Sequence, residues 1–161
     1  MTNDEVWSAV VRWVKAKTGK TTIKSHQGGP APTGQYAMVN FTVSAEVRQH
    51  EQVTEYDEAG GDITARPVME TEWRFSVHAY GPQPTDILRP LVSAAKLAQV
   101  LEPLLPGLTI HEISQIRNVP DWINNAWQPR AQMDIAIRGL TRDGFIIDVI
   151  EQTQFDYQRR A

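Results

Sequence analysis

Four histidines, His26, His50, His78 and His111, are the side chains of this 161-residue chain best suited to bind a metal or move a proton near neutral pH. None stands two, three or four residues from another or within HExxH, the spacings at which one strand or helix face offers two ligands to one ion. His78 shares a strand face with Glu72, Arg74 and Ser76, where a polar surface accounts for it. Ser8, Ser25, Ser44, Ser76, Ser93 and Ser114 include no GxSxG elbow, so a nucleophilic triad would need assembly from distant parts of the chain. Gly28-Gly29 and Gly60-Gly61 lack the frames that wrap backbone N–H groups around phosphate, and mark turns instead. The acids from Glu51 to Asp62 have the density of a calcium loop without its Asp-x-Asp-x-Asp-Gly spacing. Asn40-Phe41-Thr42 matches a glycosylation sequon by chance, because nothing directs the chain to a secretory route. Residue chemistry thus points to no enzyme, no metal and no cofactor.

Contact chemistry is better represented. Trp122 and Trp127, between Pro120 and Arg130, suit either of two roles. They are anchors of a protein interface, where exposed aromatics and Arg concentrate, or a plug across one end of a sheet. Trp73 and Phe75 alternate on a strand and belong in a core.

Composition bounds the rest. One domain over residues 1–161 is expected, about 15 Å in radius of gyration and able to bury a core without staples. Absence of cysteine excludes disulfides, thiolate nucleophiles and thiolate metal sites. No apolar run approaches the ~20 residues of a membrane span, and the start lacks a signal-peptide pattern, which implies a chain made and kept soluble. A net charge of −3 is too weak to suggest a nucleic-acid binder. Its distribution is uneven: eight acids face two bases between Glu46 and Glu72, while residues 1–24 hold two acids and five bases.

The elements that position these residues follow from periodicity. Val6, Val10 and Val14, with Trp7, Val11 and Trp13 beside them, predict a helix over Asp4–Lys17, capped by Thr2 and Glu5 and closed by Gly19. Lys20 to Gly34 is expected to run over the surface as a loop. Gly28-Gly29-Pro30-Ala31-Pro32-Thr33-Gly34 then opens directly into a strand from Gln35 to about Val53, with Phe41, Val43, Ala45 and Val47 on one face. A turn at Tyr56–Asp62 and a return from Ile63 to Tyr80 make a long β-hairpin, whose acidic tip, an arm over about residues 46–72, should project beyond the core. A helix is expected over Thr85–Leu101, Pro90 opening its main part after a lead-in turn, then a strand over Thr109–Arg117 and an irregular segment over Asn118–Pro129. Ala131–Leu140 and Phe145 to about Phe155 should close the chain as a second hairpin turning at Asp143-Gly144. The order predicts an α+β fold: an antiparallel or mixed sheet with two helices packed on one face and a projecting hairpin. That hairpin, with Glu51, Glu55, Asp57, Glu58 and Asp62, is the candidate subunit-interface or channel-facing arm, and Trp122 and Trp127 are the candidate interface aromatics.

Val11-Arg12-Trp13-Val14, the entry from Pro30 to Ala37, Trp73-Arg74-Phe75-Ser76-Val77-His78-Ala79-Tyr80-Gly81 and Gln128-Pro129-Arg130-Ala131-Gln132-Met133-Asp134-Ile135 together resemble the neck and tail-terminator proteins of tailed bacteriophages. The resemblance spans nearly the whole chain, through short motifs. It implies a structural virion protein that assembles as a homo-oligomeric ring, typically of six, capping the tail tube and offering a surface to the head connector. DNA would pass through its channel without specific binding, with no membrane, enzyme activity or cofactor involved. Another ring subunit of the head-tail joint or tail tube, and a monomeric ligand-binding or adaptor domain, are the alternatives.

Overall fold

The computed structural model describes residues 1–59, 62–97, 104 and 106–148. Its first helix, α1 (Asn3–Thr18), starts where local chemistry places it. The Thr2 hydroxyl accepts the Glu5 N–H, the Glu5 carboxylate accepts the Thr2 N–H, and Gly19, at φ 64°, donates its N–H to the Lys15 carbonyl. Val6, Ala9, Val10, Trp13 and Val14 recur three and four residues apart and are all buried, which fixes the face turned to the sheet.

The spine of that sheet is β4 (Asp62–Tyr80), whose 19 residues reach roughly 63 Å at ~3.3 Å each. Along one edge it pairs antiparallel with β2 (Tyr36–Glu46) and then β3 (Val53–Ala59). Along the other it pairs antiparallel with β9 (Arg130–Arg142) and then β10 (Phe145–Ile147). β1 (Thr21–Lys24) extends the sheet in parallel beyond β2, and β5 (Thr109–Ile113) and β6 (Arg117–Asn118) pair with β9. The sheet is therefore mixed, and α1 and α2 (Pro84–Ala94) cover one of its faces, giving an α+β fold. Trp73, Phe75, Val77 and Ala79 of β4 and Ala131, Met133, Ile135 and Ile137 of β9 alternate into the core against Ile87, Leu88 and Leu91 of α2. Each large apolar side chain so buried contributes about 1.5–3 kcal/mol.

Local signals are overridden at several points. Asp143-Gly144 is no turn: Phe145 faces Ala65 in the same register in which Arg142 faces Val68, so β10 continues β9 along β4. Beyond Val68 the long β4 still offers ladder groups, and pairing with them outweighs the local hairpin preference. Gly144 serves close approach instead, since a Cβ there would lie 3.1 Å from Thr64 Cγ2. In β2 the alternation expected past Phe41 is reversed by a bulge at Thr42, so that Phe41 faces Phe75 but Val43 faces Arg74 and stands exposed. Pro90 lies inside α2 rather than at its start. Its ring faces solvent, and burial of Ile87, Leu88, Leu91 and Ala94 on the other side offsets the lost backbone hydrogen bond. Within the expected surface loop, Thr21–Lys24 forms the short edge strand β1. The ladder between β3 and β4 continues to Ala59 and Asp62, so the expected turn over Tyr56–Asp62 is strand apart from Gly60-Gly61, and α2 ends at Ala94, short of the expected Leu101. Gly60-Gly61, residues 98–101 and the expected strand beyond Asp148 lie outside the described residues.

These registers reshape the projecting element. Residues 47–52 bend away between β2 and β3, with Val47 N–H donating to Glu70 O and Gln52 N–H to Val68 O. Beyond them β3, the first half of β4 and β10 form a three-stranded arm in place of a two-stranded hairpin. No described residue of 47–70 or 143–148 belongs to the hydrophobic core cluster, so the arm stands outside it.

Candidate assembly surfaces

Cross-strand pairing sorts the arm into two faces, because directly opposed residues point the same way. Tyr56, Ala65 and Phe145 form one row, and Glu58, Ile63 and Ile147 the next. Strand alternation carries this face without a break into Trp73, Phe75 and Val77, the face that the helices cover in the body. On the arm it is open: Tyr56 is 68% and Phe145 61% exposed.

The opposite arm face is mixed: Ile146, 71% exposed, and Val53, 54% exposed, stand among charged and polar side chains. Glu55 accepts from Arg142 at 3.1 Å and Asp57 from Arg66 at 3.1 Å, so two of the five acids singled out in the sequence are neutralised within the arm. Asp62 shares this face, Glu58 stands on the apolar one, and Glu51 lies in the bend, all exposed and without an ion pair among the described residues. The structure thus gathers four of the acids on the arm and divides them between its faces. The sequence reading missed Tyr56, Phe145 and Ile147. The signal was there in Tyr56, flanked by Glu55 and Asp57 in a strand with no other aromatic.

Trp122 and Trp127 sit on a small hairpin of β7 (Asp121–Ile123) and β8 (Ala126–Gln128), where the sequence suggested irregular chain. Asn124 and Asn125 make its turn at φ 51° and 60°, conformations that Asn tolerates. The two indoles pack edge to face at 5.1 Å and remain 56% and 65% exposed, so they do not plug the sheet. An ion pair between Asp121 and Arg130 ties the hairpin to the start of β9.

The uncovered face of the central sheet is polar but compact. Tyr36 stacks on Tyr80 at 4.8 Å, and beside them His78 is only 8% exposed, buried where the sequence suggested a polar surface. That burial, with the Arg130 charge nearby, holds its imidazole below the ordinary range. Burial pushes the Glu72 carboxyl up, but hydrogen bonds from Arg138 at 2.9 Å and Arg74 at 2.8 Å outweigh it and hold the group low. An open cleft of about 150 Å³ between Arg74, Glu112, Ser114 and Asp134 adjoins this face. Among the described residues, no group of three or more His, Asp or Glu could hold a metal ion, and no helix is long and apolar enough to cross a membrane.

The fold and these surfaces define a class: a small α+β domain whose exposed aromatics and unpaired acids stand on projecting elements. The chain belongs to the phage neck terminator protein family, whose sequence pattern matches residues 4–160. Among solved structures it is similar to the sheath/tube terminator of an extracellular contractile injection system, PVC, in its extended state, at 12% identity and a TM-score of 0.59. That alignment covers 100% of this chain, which spans 65% of the other's length, and shows a shared fold. A second solved chain aligns over 94% of this one and 99% of itself at 16% identity, with a TM-score of 0.36 that carries no argument. No curated protein matches the sequence.

Proposed function

We propose that the protein is the neck terminator subunit of a tailed phage, a virion component that closes into a homo-oligomeric ring of six on the tail tube and joins it to the head connector. Family membership over residues 4–160 supports the role, and the arm supports the ring. The observation that carries it is an open apolar face on an element outside the core, a surface that marks a contact with another chain. A ring needs a heterologous contact that closes, and an arm reaching the next subunit supplies one side of it.

In this reading the subunit performs no catalysis and holds no cofactor. DNA passes without specific binding, because Glu51 and Asp62 repel phosphates wherever the arm borders the channel. The Trp122/Trp127 hairpin meets the tube protein or the connector, and assembly takes place in the host cytoplasm before the particle is complete. Adding the purified protein to polymerising tail tube protein tests the role. Tubes should stop growing and carry a disc at one end under the electron microscope, whereas uncapped tubes of unrestricted length would contradict it.

A further inference from the structure

The ring reading leaves open which surface of the neighbour receives the arm. The arm presents Tyr56, Phe145 and Ile147 with the unpaired Glu58 beside them on one face. Its occupant must cover aromatic rings and bring positive charge. On α1, Lys15 and Ala16 stand three and four residues after Arg12 on the exposed side, opposite the buried Val6, Val10 and Val14. Neither Arg12 nor Lys15 forms an ion pair among the described residues, although Lys24 nearby is taken up by Asp4.

We infer that the apolar face of the arm docks on the Arg12–Lys15–Ala16 stripe of α1 in a second copy of this chain. The inference rests on the ring reading. Three physical terms favour this occupant. The aliphatic stems of Arg12 and Lys15, with Ala16 beside Arg12, cover apolar surface while their charged heads stay near water. Their cations suit the faces of the Tyr56 and Phe145 rings. Glu58, on the same face as the rings, complements these charges, and complementary charge fixes register and partner choice. Arm and stripe are different patches, so each copy gives one and receives the other, the head-to-tail contact that a closed ring requires.

Charge reversal tests this in the full-length protein. One variant carries Arg12→Glu with Lys15→Glu, and the other Glu58→Lys, each compared with the unmodified chain by native mass spectrometry. Alone, each variant should lose closed rings, since like charges then meet at every contact. Mixed, the two should form rings containing equal numbers of each, because arm and stripe are again opposite at both kinds of contact. Rings from either variant alone at the unmodified level, or a folded mixture that stays dissociated, would overturn the contact while leaving the ring reading intact. An unmodified chain that never forms rings would overturn both. If either reversed variant fails to give the native circular dichroism spectrum, Arg12→Gln with Lys15→Gln serves instead. Rings weakened at least several-fold support the contact, and unweakened rings overturn it.

Discussion

Tyr56 and Phe145 flank Ala65 in a single row across the arm, one from β3 and the other from β10, on the face that the helices cover further along the same strand. A sheet face that is core at one end and open at the other leaves apolar surface exposed on the arm. The row also shows why β10 had to continue β9. Folded back at Asp143-Gly144, it would have left Ala65 without a partner on that edge and Phe145 elsewhere.

Tyr56→Ser combined with Phe145→Ser should leave the monomer folded and remove its ability to form rings. Both rings are largely exposed and outside the core, so each change costs about 0.5 kcal/mol or less. Thermal melting and solution mass, read on the same sample, separate the two effects. A large loss of stability would show that the row serves folding instead.

Gly139→Ala should be destabilising although it adds a single methyl. A Cβ at this position of β9 would meet Leu108 Cδ2 at 2.8 Å, the Gly107 carbonyl at 3.0 Å and Trp73 Cζ3 at 3.3 Å. Overpacking of this kind costs about 1–3 kcal/mol, and melting should fall by roughly 2–4 °C per kcal/mol. Gly28→Ala, with nothing within 4 Å, is the neutral control.

Stability should decline in mild acid because of His78. Its folded-state affinity for protons is lowered, so as pH falls the unfolded chain is protonated first, from about 6.5. The contribution is complete above that value and is lost progressively toward the lower folded one. Glu72 adds a second decline at lower pH, its stabilisation being present above about 4.5 and lost as the carboxylate protonates. Denaturation midpoints between pH 7.5 and 5 should fall less steeply for His78→Phe than for the unmodified chain, and equal slopes would contradict the assignment.

Trp122→Ser and Trp127→Ser should leave both stability and rings unchanged while weakening attachment to the tube protein or the connector. The hairpin that carries them is joined to the sheet through its own ends and the Asp121–Arg130 pair, apart from the arm. Co-sedimentation with tail tubes is the readout. Loss of rings would place the tryptophans in the subunit contact.

Much of the body was legible because its signals are dense and mutually consistent. The capping box at Thr2 and Glu5, the glycine stop at Gly19 and the alternation Trp73-Phe75-Val77-Ala79 each predict one conformation, and the core needs the same one. The errors fall where a long-range partner overrules a short-range preference. Asp143-Gly144 favours a hairpin in isolation, but an available edge of β4 holds the chain extended. The Thr42 bulge and Pro90 inside α2 are likewise tolerated for what lies across from them. The candidate surfaces were half visible: their acids and tryptophans carry composition signals, whereas exposure of Tyr56 and Phe145 depends on how far the helices extend over the sheet, which periodicity does not encode.

The most direct measurement is light-scattering mass, coupled to negative-stain imaging, of the full-length protein across a concentration series. Assembly by mass action should convert monomer to a closed ring of six as concentration rises, with discs of one diameter in the images. A monomer at every concentration, with no discs, would contradict the claim that this subunit builds a ring through its own arm.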